Sequence, residues 1–397
     1  MRIPKGGRTW GEISKGLRGF EKASFMDPTG REKQLQHLYA LSGTPELRAI
    51  VDGAFQIFLD SNASYDTEHG VLEMEREVVS MLADLWGLSS GVGHMTSCGT
   101  ESNILSLYAA RKLSKRKGGS VVLPSTAHMS LFKGCEYLGL KPIVVPVDDH
   151  FRAVPGAMER AVTKDTVAIA ATAGNWAWAQ IDPIEAIGKI AEEHDVYFHV
   201  DAAYAGFLCS FLKGSEFDIP PFDLSVKGVS SMSSDPHKNG YAPFPAGAIV
   251  FRDKELQRAA AYSTPKFLGY EYETPGLIGT RPGYSIAATW AIMNYLGVEG
   301  YTKLSRKAMR MTMEFIKGVS DIPGLRPSTI PKLNFATACS LEIDMDRVKA
   351  TLKRKGWLFY DQIGPRKTRE NAIVAAILPD REEVYPRFLD DLRAASK

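Results

Sequence analysis

Cysteine is scarce in this chain of 397 residues: there are four, Cys98, Cys135, Cys209 and Cys339, with no CxxC or CxxH spacing. That spacing does not suit a metal or disulfide framework, and reduced thiols in a cytoplasmic setting are the expectation. An excess of either charge is also missing. Lys and Arg number 48 against 46 for Asp and Glu, a net charge of +2, so neither nucleic acid nor a membrane surface is expected as a partner. No apolar run approaches a membrane span, and Met1-Arg-Ile-Pro-Lys-Gly6 has no apolar core of the signal-peptide kind. There is no GxxxxGKS, which leaves an ATP-type phosphate loop without support. Internal repeats and low-complexity segments are absent as well.

What is present is the composition of a soluble globular enzyme, 44% hydrophobic and 24% charged. The length suits one large domain and one smaller one. Met74, Val78, Met81, Leu82 and Leu85 fall on one face of a helix over Glu73–Trp86. From Val121 onward short apolar strands alternate with helical stretches. Thr166–Thr172 is apolar throughout, as a strand buried on both faces should be, and Val196–Asp201 and Ala246–Phe251 follow. This pattern predicts an α/β fold with a mostly parallel sheet covered by helices. Ser285–Val319 reads as a long helix broken near Gly297 or Gly300, and strand, helix, strand and helix follow it. The expected division is an N-terminal arm (1–50), a large domain (51–296), and a spine helix with a small α+β domain (297–397).

Several short motifs carry chemistry. Thr96-Ser-Cys-Gly-Thr-Glu-Ser102 opens a helix, where free backbone amides and the helix dipole favour a phosphate. The same residues also suit an ordinary capped helix. His128, Thr172 and Asp201 each stand at the end of a predicted strand. A carboxylate at that place in an open α/β sheet sits where such folds bind ligands, and Asp201 is able to hold a protonated ring nitrogen or simply to cap a turn. His128 can lie flat on an aromatic ligand or be structural. Ser230-Ser-Met-Ser-Ser-Asp-Pro-His-Lys-Asn-Gly240 then carries His237 and Lys238 side by side. A lysine there is either solvated or a desolvated amine able to form a Schiff base.

The order of these motifs resembles the pyridoxal-phosphate-dependent decarboxylases of the fold-type I superfamily. That group includes glutamate, aromatic amino acid and archaeal tyrosine/aspartate decarboxylases, with sphingosine-phosphate lyase a close relative. The matching stretches are Thr96–Ser102, Thr126-Ala-His128, Thr172-Ala-Gly174, His199-Val-Asp-Ala-Ala-Tyr-Ala-Gly206, Ser234-Asp-Pro-His-Lys238 and Gly279-Thr-Arg281. The resemblance implies an aminotransferase-like fold and pyridoxal 5'-phosphate bound covalently through Lys238. It implies Asp201 on the pyridine nitrogen, His128 and Ala203 on the two ring faces, and Thr172 beside the cofactor or substrate. Gly99, Thr100 and Ser234 would hold the phosphate, with His237 near the reactive carbon. Gly279 and Thr280 would reach a neighbouring subunit's phosphate, so a homodimer with shared active sites is expected. The implied reaction is α-decarboxylation of an L-amino acid, aromatic or acidic, with a carbon–carbon lyase of the sphingosine-phosphate type as the alternative.

Departures from the family pattern fall on the substrate side. Tyr65 and His69 replace apolar residues, and Trp176 and Trp178 replace small polar ones. The arginine expected just before the last strand is displaced, with Arg369 nearby as a substitute for holding a carboxylate. Tyr270 and Tyr272, in a loop before Gly279, are the candidate proton donors.

Overall fold

The computed structural model describes residues 7–23, 33–36, 44–63, 69–114, 118–267 and 269–397. In chain order the elements begin with helices α1 (Trp10–Ala23), α2 (Pro45–Phe58) and α3 (His69–Leu85), strand β1 (Val92–Thr96) and α4 (Gly99–Leu113). There follow β2 (Ser120–Pro124), α5 (Met129–Leu138), β3 (Lys141–Val145), α6 (Pro155–Ala161), β4 (Thr166–Thr172) and α7 (Ile184–Glu193). Then come β5 (Tyr197–Asp201), α8 (Ala205–Leu208), β6 (Ser231–Ser234), β7 (Gly247–Phe251) and α9 (Lys254–Ala260). A hairpin of β8 (Tyr262–Phe267) and β9 (Tyr270–Thr274) leads into α10 (Gly283–Ser320). The chain closes with β10 (Phe335–Cys339), α11 (Met345–Arg354), β11 (Tyr360–Gln362), β12 (Ala372–Ala376) and α12 (Val384–Ser396).

The main sheet has seven strands in the order β1-β7-β6-β5-β4-β2-β3. Its β3, β2, β4, β5 and β6 run parallel, while β7 is antiparallel to both β6 and β1. The carboxyl ends of β4, β5 and β6 therefore lie side by side, with Thr172 opposite Asp201 and Asp201 opposite Ser233 in register. β4 and β5 are buried along their whole length, as the unbroken apolar run of β4 requires.

β6 was not legible as a strand. Its sequence Ser-Met-Ser-Ser is buried throughout, and hydrogen bonds rather than apolar packing satisfy two of its hydroxyls: Ser231 bonds His199 and Tyr197, and Ser233 bonds Asn103.

The long helix α10 is broken at Gly297, where φ 53 and ψ −173 fall outside the helical region. Its early part packs on α2 and α3, while Phe315 beyond the break meets Tyr385 and Phe388 of α12. The last strands form a separate antiparallel sheet, β10-β12-β11, with its own apolar core around Phe315, Trp357 and Phe388.

Candidate active site

Lys238 stands in the turn after β6, and its Nζ lies 2.7 Å from Asp235 Oδ2. The ammonium also sits over the Tyr204 ring, 4.0 Å from the centroid, a contact that attracts a cation to the ring face. Burial works against this charge. The Asp235 carboxylate, reinforced by Tyr204 and Asp201, outweighs burial and raises the lysine above its usual range. The amine is thus held as an ammonium in the absence of any ligand. His237 Nε2 is 3.6 Å from the same Asp235 oxygen, and its Nδ1 accepts from the Ala246 amide at 3.2 Å. Burial lowers the His237 pKa, with Asp235 opposing, so a weakly basic imidazole stands beside the lysine–aspartate pair.

Asp201 is anchored from two sides at the end of β5. Its Oδ2 accepts from the Asn103 side-chain amide at 2.7 Å, and its Oδ1 accepts from the Ala203 backbone at 3.1 Å. Asn103, on the second turn of α4, also donates to Ser130 Oγ at 2.8 Å and lies 2.9 Å from His199 Nε2 through its carbonyl oxygen. Ser130 in turn bonds His128 Nδ1 at 2.8 Å. One buried amide therefore links the carboxylate, the strand histidine and the histidine that caps α5. Burial lowers the His199 pKa to about 4, which keeps that ring neutral.

These groups converge on a cavity of about 700 Å³. At one end lie Gly99 and Thr100. The helix N-cap, Cys98, makes no side-chain capping bond, and Thr96 instead bonds Ser102 Oγ at 2.8 Å. The hydroxyls that would close an ordinary capped helix are therefore turned elsewhere. A Cβ on Gly99 would come within 3.1 Å of Asp235 Oδ2 and 3.4 Å of Ala203 Cβ, so glycine keeps this end of the cavity open without displacing Asp235. Of the described residues that line it, Thr126 Oγ1, Thr172 Oγ1 and Asp235 Oδ1 are buried without a hydrogen-bond partner; Ser234 Oγ is unpartnered as well but does not line the cavity. Unpartnered oxygens clustered at one site call for a polar ligand.

The opposite wall is aromatic. Trp176 meets Tyr360 edge-on at 4.6 Å and Phe335 at 5.5 Å, and Tyr204 meets Phe335 at 4.7 Å. Trp178 stacks on Phe151 at 4.0 Å. Both tryptophans line the cavity, together with Ala203, Tyr360 and Gln362.

A model of the pyridoxal-dependent decarboxylase conserved domain matches residues 61–323. The chain belongs to the pyridoxal-dependent decarboxylase family. It is 36% identical over 304 residues to a probable L-aspartate decarboxylase of Pyrococcus furiosus, covering 76% of this chain and 81% of that one. It is 31% identical to a sphingosine-1-phosphate lyase of Oryza sativa over 87% of this chain and 65% of that protein. A sphingosine-1-phosphate lyase structure from Burkholderia pseudomallei superposes with a TM-score of 0.91 at 27% identity, covering 100% of this chain and 92% of that one. The protein is thus a pyridoxal-phosphate-dependent decarboxylase of fold type I.

The decarboxylase cavity fits that cofactor: a basic amine, a strand-end carboxylate, an open helix start and unpartnered hydroxyls surround one space. Sequence reasoning missed Asn103, Tyr204, Asp235, Tyr360 and Gln362. Tyr204 and Asp235 stood inside the motifs already quoted, whereas Tyr360 and Gln362 come from the small domain and follow no motif.

Other anticipated residues lie elsewhere. Arg369 lines a second cavity that adjoins the first at Ser125, Thr126 and Trp178. There its guanidinium donates to the Asp149 carbonyl at 2.9 Å and lies over Phe151, which turns it away from Lys238. Tyr270 and Tyr272 are on β9 rather than in a loop; only the backbone of Tyr270 is described, and Tyr272 is not among the described residues that line the cavity. Gly279 and Thr280 are exposed, and Tyr272 Oη lies 3.6 Å from where a Cβ on Gly279 would sit. Tyr65 lies outside the described residues, and of His69 only the backbone, at the start of α3, is described.

Proposed function

We propose that this decarboxylase removes the α-carboxylate of an aromatic L-amino acid, giving the amine and carbon dioxide. The observation that carries the reading is the lining of Tyr204, Trp176 and Tyr360, backed by the buried Phe335, that connects Lys238 to the small domain. Flat rings offer large apolar faces for a flat side chain. An acidic side chain, as in the Pyrococcus relative's name, has less support, because no arginine is among the described residues lining the cavity. When bound, pyridoxal phosphate supplies an electron sink for the charge left at the substrate α-carbon. Lys238 would hold the cofactor and, once carbon dioxide has left, assist in protonating the product. Asp201 would hold the ring nitrogen's proton, its carboxylate fixed in place by Asn103. His128 and Ala203 would pack against the ring, Thr172 would stand beside the cofactor or substrate, and Gly99, Thr100 and Ser234 would take the phosphate. His237 and Asp235 set the protonation of the lysine.

The same reading includes a homodimer in which the exposed Gly279 and Thr280 reach the second subunit's phosphate, with Tyr270 or Tyr272 as proton donor there. Exposed Leu277 and Ile278 beside them, at 56% and 39%, support an interface at this segment. Four free thiols fit a cytoplasmic setting; no described helix is long and apolar enough to cross a membrane. A carbon–carbon lyase reaction is the second reading, favoured by the likeness to the Burkholderia structure. Incubating purified enzyme with an amino-acid panel and scoring carbon dioxide against aldehyde release tests both. Carbon dioxide from L-tyrosine or L-phenylalanine is expected, and aldehyde release alone would overturn the decarboxylase reading.

A further inference from the structure

The small domain contributes a short strand to the cavity, and that strand is held by a buried charge cluster. On β11, Tyr360 and Gln362 share one face by the two-residue alternation of a strand, and both line the cavity. Asp361 between them points the other way, toward α11. There Lys349, only 3% exposed, places its Nζ 2.7 Å from Asp361 Oδ1. The same ammonium donates to the Gln362 backbone carbonyl at 2.9 Å and to the Asn371 side-chain oxygen. Asn371 also donates to Asp346 Oδ1 at 3.1 Å and directly precedes β12, whose Ala372 pairs with Gln362.

Lys349 therefore has three oxygen partners and no role as a free cation for a ligand. Its effect is to fasten a three-residue strand at the cavity rim. The Gln362 side-chain amide is half-buried and makes no hydrogen bond to the described residues. Its strand neighbour on the same face, Tyr360, connects to Lys238 through Trp176 and Tyr204, at 4.6, 6.4 and 4.0 Å in turn. An amide is neutral and both donates and accepts, which suits a hydroxyl at the far end of a substrate better than a carboxylate.

We propose that Gln362 is a specificity-determining residue that reads a hydrogen-bonding group at the distal end of the substrate side chain, and that Lys349 is its positioning residue. This rests on the aromatic reading above and adds to it a choice among aromatic substrates. Removing a hydrogen-bond partner from a binding site discriminates against the analogue that needs it.

The test compares L-tyrosine with L-phenylalanine, which differ by one hydroxyl, on the purified holoenzyme. The wild type should favour L-tyrosine in kcat/KM, and Gln362→Leu should lower the tyrosine-to-phenylalanine ratio by about tenfold, with the change in KM. Cofactor absorbance should stay at the wild-type level. Lys349→Met should lower the same ratio. Because loss of a buried lysine can unfold the small domain, Gln362→Leu alone decides. A ratio that Gln362→Leu leaves unchanged, or a wild type that takes both substrates equally, overturns the role of Gln362 while the aromatic reading stands. A wild type inactive on both overturns the aromatic reading itself.

Discussion

The Asn103 side-chain amide donates to Asp201 across 2.7 Å, and Asn103 is 1% exposed. A carboxylate held by one side-chain amide and the Ala203 backbone is sensitive to the loss of either. Asn103→Leu keeps the branched shape with somewhat more bulk and removes the bonds to Asp201, Ser130, His199 and Ser233. Each buried group left unpaired costs about 1–3 kcal/mol. The expected result is a cofactor dissociation constant at least about tenfold higher, read by fluorescence titration of the apoenzyme. Wild-type affinity in a folded Asn103→Leu protein would remove the anchoring role.

Lys238→Ala should end covalent capture of the cofactor. Borohydride treatment followed by peptide mass mapping should label Lys238 in the wild type and nothing in the variant. Turnover should fall by about 10²-fold or more, in the range of a lost acid–base group. Asp235→Asn tests the other half of the pair. Its carboxylate raises the Lys238 pKa, so its removal should lower that pKa and speed cofactor capture by the apoenzyme at neutral pH.

Stability should fall with acid because of His199. Burial holds its pKa at about 4 against an ordinary value of 6.5, so the folded protein keeps it neutral. The stabilisation is complete above pH 6.5 and is lost as pH falls toward 4, up to about 3 kcal/mol. His94, at about 3 with both ring nitrogens unpartnered, acts in the same direction. Urea unfolding of wild type and His199→Gln across pH 4 to 7 is the measurement. A glutamine retains hydrogen bonds without titrating, so its acid slope should be shallower; equal slopes would disprove the assignment.

Gly206→Ala probes Ser234, one of the residues proposed to take the phosphate. The added Cβ would stand 2.3 Å from Ser234 Oγ and 2.5 Å from Ser234 Cβ. Ser234 must move, at an expected cost of about 1–3 kcal/mol, and cofactor affinity should drop with it. Thermal unfolding with and without pyridoxal phosphate separates the two effects: the stabilisation that the cofactor gives should shrink in the variant.

The cofactor side of the site was readable because its chemistry sits in short contiguous stretches at strand ends. Thr172 closes β4, whose run Val167–Ala171 is wholly apolar, and Asp201 closes β5, which is buried along its length with His199 in its middle. β6 announced nothing, since Ser231, Ser233 and Ser234 are buried without an apolar signal. The substrate side was harder for a different reason. Gln362 and Tyr360 reach the cavity from a strand of three residues, too short for any periodicity. Arg369 shows the converse: its place in the sequence suggested a role near Lys238, but its side chain is taken up by Asp149 and Phe151.

The placement of β1 also bears on how the chain is made. Among the described residues β1 pairs with β7 alone, and the Gly93 carbonyl accepts from Gln257, 164 residues further along. On a ribosome, β1 emerges well before its partner exists. At ordinary synthesis rates that delay is on the order of ten to thirty seconds. Throughout it, Met95 has no β7 to cover it, and Glu75 has not met Arg281. The sheet can be completed only when β7 is released, so β1 waits unpaired until the chain has been made as far as Phe251.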